Sequence, residues 1–274
     1  MEKNKVVIII PIYKKEMTKT EKASLLQCLK VLGKYDISFI CPNSLDTKNY
    51  EIELEKWEIN ANFIRFEDKH FKSLFDYSKF MLKKDLYKRI STYEFMLIYQ
   101  LDAWVFEDKL EYWCEQNFDY IGAPWFEKYD LSTRDTPMMD VAGNGGFSLR
   151  KIDSILKVLE SNYHLSFKEF LNKVKKNKKI SNIINFPIFL IKYLLYLQSN
   201  FFEKTTINED VVFVKYGPIF LKDFKVAEPK VALQFSFEVN PSLLYEMNNQ
   251  QLPFGCHAFE KYEYETFWKN FINI

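Results

Sequence analysis

The chain has 274 residues and a formal net charge of +1, from 38 Lys plus Arg against 37 Asp plus Glu. That length carries a full α/β core without disulfide or metal staples, and the balanced charge excludes a polyanion such as duplex DNA as the expected partner. The four cysteines, Cys28, Cys41, Cys114 and Cys256, stand at no zinc or redox spacing, so reduced thiols in a cytoplasmic protein are expected.

Near the N-terminus "KVVIIIP" reads as a fully buried strand; the apolar run is short and no small-residue cleavage site follows, so a signal peptide and export are not expected. "TKTEKASLLQCLKVLG" follows as a helix, with Thr18 and Glu21 placed for a capping box and Gly33 for a C-cap. "DISFICP" and "ANFIRFE" are two more strands, "SLFDYSKFMLKKDLYKRI" has helical spacing, and "YEFMLIY" returns to strand character. This alternation predicts a mostly parallel sheet flanked by helices.

The second half is less regular. It holds "FDYIGAPW", the glycine cluster "VAGNGGFSLR" leading into a helix near Arg150, a long helical region from about Lys151 to Phe202, "NEDVVF" at a helix start, and "PFGCHAFEKY". Neither linker nor repeat is evident, so the expectation is one domain over 1–274 with a helical insertion at about 165–205. Within the insertion, "FPIFLIKYLLYL" is interrupted by Lys192 and is too short to span a bilayer. It is either a buried helix or a helix lying at the inner face of the membrane through about 180–202.

Chemistry concentrates in a few polar positions. Asp102 stands where "FMLIY" gives way to a loop, the place where open α/β sheets bind ligands. It also suits a simple turn cap. His257, one of only 3 histidines, sits among apolar residues as either a hydrogen-bonded core histidine or a ligand. In "GNGGFSLR" the glycines allow close backbone approach or positive φ, but the spacing is not a dinucleotide fingerprint. Glu209 and Asp210 open a helix, where acids complement the dipole or serve as a base.

In order, "IYQLDAWVF", "DYIGAPW", "GNGGFSLRK", "NEDVVF" and "PFGCHAF" resemble a bacterial family of glycosyltransferases with the GT-A fold, many encoded in surface-polysaccharide loci. The resemblance runs from about Lys5 to Tyr262 and leaves out about 165–205. It implies a Rossmann-like sheet and a nucleotide-sugar donor, with a UDP-sugar favoured. Asp102 matches the second aspartate of an Asp-x-Asp motif, with Gln100 in place of the first; Asp102 and His257 are then the implied ligands of Mn²⁺ or Mg²⁺. The resemblance further implies Pro11, Ile12 and Tyr13 beside the donor's base and ribose, where Tyr13 either stacks on uracil or packs into the core, and Asn144, Gly145 and Gly146 at the donor pocket; Lys79 is either a phosphate contact or a solvated lysine. Trp125 would meet an acceptor sugar, unless it belongs to the core. Asp210 is the implied base of an inverting transfer, with Glu209 on a glycan or lipid-linked acceptor, or the two roles exchanged. Two rivals stand beside this reading: a nucleotidyltransferase, whose phosphate-binding glycines "IPIYKKEM" lacks, and a non-catalytic glycan-binding or scaffolding protein on the same fold, which the neutral Gln100 leaves open.

Overall fold

The computed structural model describes residues 3–161 and 201–274; most of the expected insertion at 165–205, and most of the candidate membrane segment at 180–202, lies outside the described residues. The first half builds β1 (Asn4–Pro11), α1 (Lys19–Leu32), β2 (Asp36–Pro42), α2 (Lys48–Lys56), β3 (Ala61–Phe66), α3 (Leu74–Met81), α4 (Lys84–Arg89) and β4 (Tyr93–Tyr99). Then come β5 (Trp104–Val105), α5 (Leu110–Glu115), β6 (Tyr120–Ile121), β7 (Ala123–Phe126), β8 (Met138–Gly143), β9 (Phe147–Lys151) and α6 (Ile152–Glu160), with β10 (Ser236–Phe237) and β11 (Gly255–Cys256) near the end.

The central sheet has the order β3-β2-β1-β4-β9-β6. The pairs β1–β2, β2–β3 and β1–β4 are parallel, and β9 runs antiparallel between β4 and β6. Both faces are covered, as the unbroken apolar strands require. Ile8, Ile10, Leu97 and Tyr99 pack on one face with Leu25, Cys28 and Leu29 of α1, while Ile9, Met96 and Ile98 pack on the other with Phe80, Leu86 and Ile155 of α3, α4 and α6. The capping box of α1 is formed on both sides, Thr18 accepting from the Glu21 amide and Glu21 from the Thr18 amide.

Three local expectations change. The helical stretch over residues 74–89 is two helices, broken at Leu82 and Lys83. Gly33 ends α1 with φ −64°, in the right-handed region, so it does not form the left-handed cap; its missing Cβ instead leaves room for the Leu29 carbonyl and Ile59. The helix expected near Arg150 is α6, from Ile152, but the glycine loop reaches it through a strand: "FSLRK" is β9, paired with β4 from Tyr99–Phe147 to Phe95–Lys151. Its buried side chains alternate between the two faces of the sheet.

The strand order places the site. From β1 the chain steps outward to β2 and β3, then returns to β4 on the opposite side of β1. The reversal between β1 and β4 opens a crevice beyond their carboxyl ends, the expected ligand position in an open α/β sheet. Among the described residues no helix is long and apolar enough to cross a membrane.

Candidate active site

At that crevice lies a cleft of about 620 Å³. Pro11, the last residue of β1, with Ile12 and Tyr13 just past it, lines the cleft, as do Gln100, Leu101 and Asp102 just past β4. Ile12 is buried and Tyr13 is 60% exposed, with Lys14 Nζ 5.9 Å from its ring centroid, so the first belongs to the core and the second presents an accessible aromatic ring to the cleft. Five of the sequence-selected positions therefore converge.

The small sheet β10-β11-β5 supplies the rest. Parallel pairing of Phe237 with Cys256 sets the next residues, Glu238 and His257, side by side, and antiparallel pairing of Cys256 with Trp104 brings His257 back to Asp102. His257 Nε2 lies 3.2 Å from Asp102 Oδ1 and 3.2 Å from Gln100 Oε1. On the far side of the ring, Nδ1 lies 2.8 Å from Glu238 Oε1 and 3.1 Å from Asn144 Nδ2. Burial pushes the His257 imidazole toward neutrality, but Asp102 and then Glu238 override this and lift it to about 10. Burial likewise pushes the Asp102 carboxyl up; His257 outweighs it, and the net shift is downward.

Nε2, Asp102 Oδ1 and Gln100 Oε1 are three acceptors facing one point unless a proton or a cation stands among them. A cation held about 2.1 Å from each would leave its ligands about 3 Å apart, which is the separation observed. Among the described residues no group of three or more His, Cys, Asp or Glu side chains could hold a metal. The third donor here is the neutral Gln100, while Glu238 meets the opposite ring nitrogen, as an outer-shell carboxylate does. The residues fit a hard divalent cation with ligand positions left for phosphate oxygens.

The segment Asn144-Gly145-Gly146 separates this cluster from a second one. Asn144 is 2% exposed and has φ 129°, a strained value for a residue with a side chain. Its Oδ1 accepts from the amides of Gly146 (2.6 Å) and Phe147 (3.1 Å). None of the glycines has positive φ, so they serve close approach. A Cβ on Gly145 would stand 2.6 Å from Glu209 Oε1, one on Gly146 would overlap the His257 ring, and one on Gly143 would overlap the Trp125 indole.

Beyond the glycines, Glu209 is 5% exposed and pairs with the fully buried Arg150 at 3.2 Å. Arg150 also donates to the Gly145 carbonyl and to Ser148, and lies over the Tyr120 and Phe213 rings. The Glu209 amide donates to Ser78 of α3 at 2.8 Å. Asp210, next along the short helix Glu209–Val211, keeps partial exposure. Desolvation, then the Glu209 charge, push its carboxyl up to about 7.

Two sequence expectations are placed elsewhere. Lys79 lies outside the residues that line the cleft; its ammonium donates to the Phe202, Glu203 and Thr205 carbonyls at 2.8, 2.7 and 2.9 Å. Trp125 is 6% exposed and packs in the core beside Gly143. Sequence reasoning missed Glu238 and Arg150. Glu238 carries the same signal as Asp102, a lone carboxylate at the end of an apolar run, "LQFSFEV"; Arg150 is a charge inside a strand buried on both faces.

The chain is similar to several solved structures, of which it spans about half the length. The apo-form glycosyltransferase GlyE of Streptococcus pneumoniae is 10% identical, over 93% of this chain and 54% of that one, with a TM-score of 0.45. S. aureus TarS in complex with UDP-GlcNAc is 12% identical, over 55% and 46%, with a TM-score of 0.37. Core-mannan synthase A from Aspergillus fumigatus, in its Mn/GDP form, is 8% identical, over 46% and 43%, with a TM-score of 0.36. No curated protein matches the chain. The family described as "protein of unknown function (DUF5672)" matches residues 60–257, and the chain belongs to that family.

Proposed function

We propose that the chain is a GT-A-like, metal-dependent glycosyltransferase that moves a sugar from a nucleotide donor, a UDP-sugar, to a glycan or lipid-linked acceptor with inversion. The observation that carries this reading is that His257 Nε2 lies 3.2 Å from both Asp102 Oδ1 and Gln100 Oε1, two residues that line the β1/β4 cleft. The ordered sequence blocks that resemble the glycosyltransferase family fall on that cleft and on the elements around it.

In this reading the donor's base and ribose lie along Pro11, Ile12 and Tyr13, the exposed Tyr13 ring being free to stack. Asp102, His257 and Gln100 hold Mn²⁺ or Mg²⁺, which offsets the negative charge gathering on the diphosphate as it leaves. A unit-charge contact at about 4 Å and an effective dielectric of about 20 is worth about 4 kcal/mol before desolvation, or roughly three decades in rate. Asn144, Gly145 and Gly146 present backbone at close range to the donor sugar. Asp210 takes the proton of the acceptor hydroxyl as that oxygen bonds to C1 and the C1–phosphate oxygen bond breaks. A base with its carboxyl near 7 suits that role at neutral pH, whereas Glu209, locked to Arg150, holds the segment behind it. Four free, buried cysteines support a reducing, cytoplasmic setting.

Incubation with a panel of nucleotide sugars and Mn²⁺, with nucleotide release and product read by mass spectrometry, tests the proposal. Turnover that disappears in Asp102→Ala and Asp210→Asn supports it. Donor-independent glycan binding without turnover would instead favour the glycan-binding reading, which the neutral Gln100 motivates.

A further inference from the structure

His257 Nδ1 sits between two groups that ask opposite things of it. Glu238 Oε1, 2.8 Å away, is an acceptor and requires a hydrogen on Nδ1. Asn144 Nδ2, 3.1 Å away, is a donor and requires a bare Nδ1. The Asn144 amide has no freedom to turn round, because its oxygen is already bonded to the Gly146 and Phe147 amides. The contest is settled by charge and distance: the carboxylate bond is shorter and charge-assisted, hence about twice as strong as a neutral one.

We infer that Glu238 is the positioning residue that decides which nitrogen of His257 is freed when a cation displaces one of the ring's protons, holding the hydrogen on Nδ1 so that Nε2 is the nitrogen that turns a lone pair toward Asp102 and Gln100. Without it, Asn144 would dictate the opposite tautomer and place a hydrogen on Nε2, where a cation has to bind. The inference rests on the cation-site reading given above and adds a residue that acts through His257.

The surroundings of Glu238 agree. It is 2% exposed, and its Oε1 also accepts from the Tyr129 hydroxyl at 2.9 Å, so the same oxygen is held from two sides. Its Oε2 is buried with no hydrogen-bond partner among the described residues. Burying a half-satisfied carboxylate costs stability, and such a cost marks a position kept for what it does to a neighbour.

The test compares wild type with Glu238→Ala, Glu238→Gln and the double variant Glu238→Ala/Asn144→Asp. Two readouts are used: titration calorimetry with Mn²⁺ alone, and NMR of the His257 ring in metal-free protein at a pH where it is neutral, which shows whether Nδ1 keeps its hydrogen. Loss of an outer-shell carboxylate lowers metal affinity by about 10- to 100-fold, so Glu238→Ala should lose that much and its Nδ1–H signal. Glu238→Gln keeps an acceptor oxygen but loses the charge that helps decide the contest with Asn144, so it should fall between wild type and Glu238→Ala. Asn144→Asp keeps the bonds to Gly146 and Phe147 but turns an acceptor toward Nδ1, so the double variant should regain both affinity and signal. A purely structural role for Glu238 gives no such rescue. Unchanged Mn²⁺ affinity in folded Glu238→Ala, or a double variant no better than the single, overturns the inference. If wild type takes up no Mn²⁺, the cation-site reading fails by itself, and the fate of the Nδ1–H signal across the variants decides the tautomer claim.

Discussion

Replacing Asp210 with Asn removes a carboxyl that the fold holds against ionisation while keeping an oxygen for the Val211 amide, 2.7 Å away. Desolvation and the neighbouring Glu209 charge raise Asp210 from an ordinary 3.8 to about 7. Between these two values the unfolded chain has lost this proton and the native chain retains it, so native stability falls as pH rises across the window. Each pH unit there is worth about 1.4 kcal/mol, and the whole interval amounts to about 4 kcal/mol. The uncharged amide of the Asp210→Asn variant carries no such penalty. The variant is therefore expected to match wild type near pH 4 and to gain on it progressively up to pH 7, with a constant advantage of at most about 4 kcal/mol above that. Urea unfolding at half-unit pH steps, read by tryptophan fluorescence, measures the difference. Parallel pH profiles for the two proteins would refute the reasoning, because they would mean that Asp210 ionises in the native state as it does in the unfolded chain.

Other perturbations separate the site's parts. Gly146→Ala would press a Cβ into the His257 ring, 2.7 Å from Cε1 and closer still to Nε2 and Cδ2; calorimetric melting should show an overpacking loss of about 1 to 3 kcal/mol, together with weakened Mn²⁺-dependent UDP binding. Arg150→Met strands the buried Glu209 charge and should cost about 3 to 5 kcal/mol, most of it recovered in the Arg150→Met/Glu209→Met double variant; additive losses in a denaturation cycle would count against the pairing. Lys79→Met removes three bonds to backbone carbonyls and should lower stability by about 2 to 3 kcal/mol while leaving UDP affinity as it was. A selective loss of UDP affinity would return Lys79 to the phosphate role.

Legibility in the sequence followed the range of the interactions involved. The first βα units could be read because their signals are local: a β-branched run before Pro11, a capping box at Thr18 and Glu21, and apolar periods that change at each turn. Asp102 was legible as the residue where an apolar strand gives way to a loop, a position that a general rule ties to ligands; the reversal between β1 and β4 that opens a crevice there is seen only in the strand order. The partnership of Asp102 with His257 rests on the pairing of β11 with β5, and that of His257 with Glu238 on the pairing of β10 with β11. No spacing encodes such pairings. The glycine cluster was expected to admit a ligand or a positive φ, and what the fold shows there is close approach of its own side chains. Its glycines make room for Trp125, Glu209 and His257, and the strained backbone belongs to Asn144. Arg150 stood at the edge of an expected helix and lies in β9, while the contacts of Lys79 with backbone carbonyls and of Trp125 with the core are long-range and carry no local signal.

The most direct test of the central claim is calorimetric titration of UDP into the purified protein with and without Mn²⁺, repeated on Asp102→Asn and His257→Ala. The account predicts that UDP binds tightly only when Mn²⁺ is present and that either substitution abolishes the dependence on metal. Nucleotide binding that is indifferent to Mn²⁺ in wild type, or metal-dependent binding that survives both substitutions, would contradict the assignment of Asp102 and His257 as the groups that hold the cation.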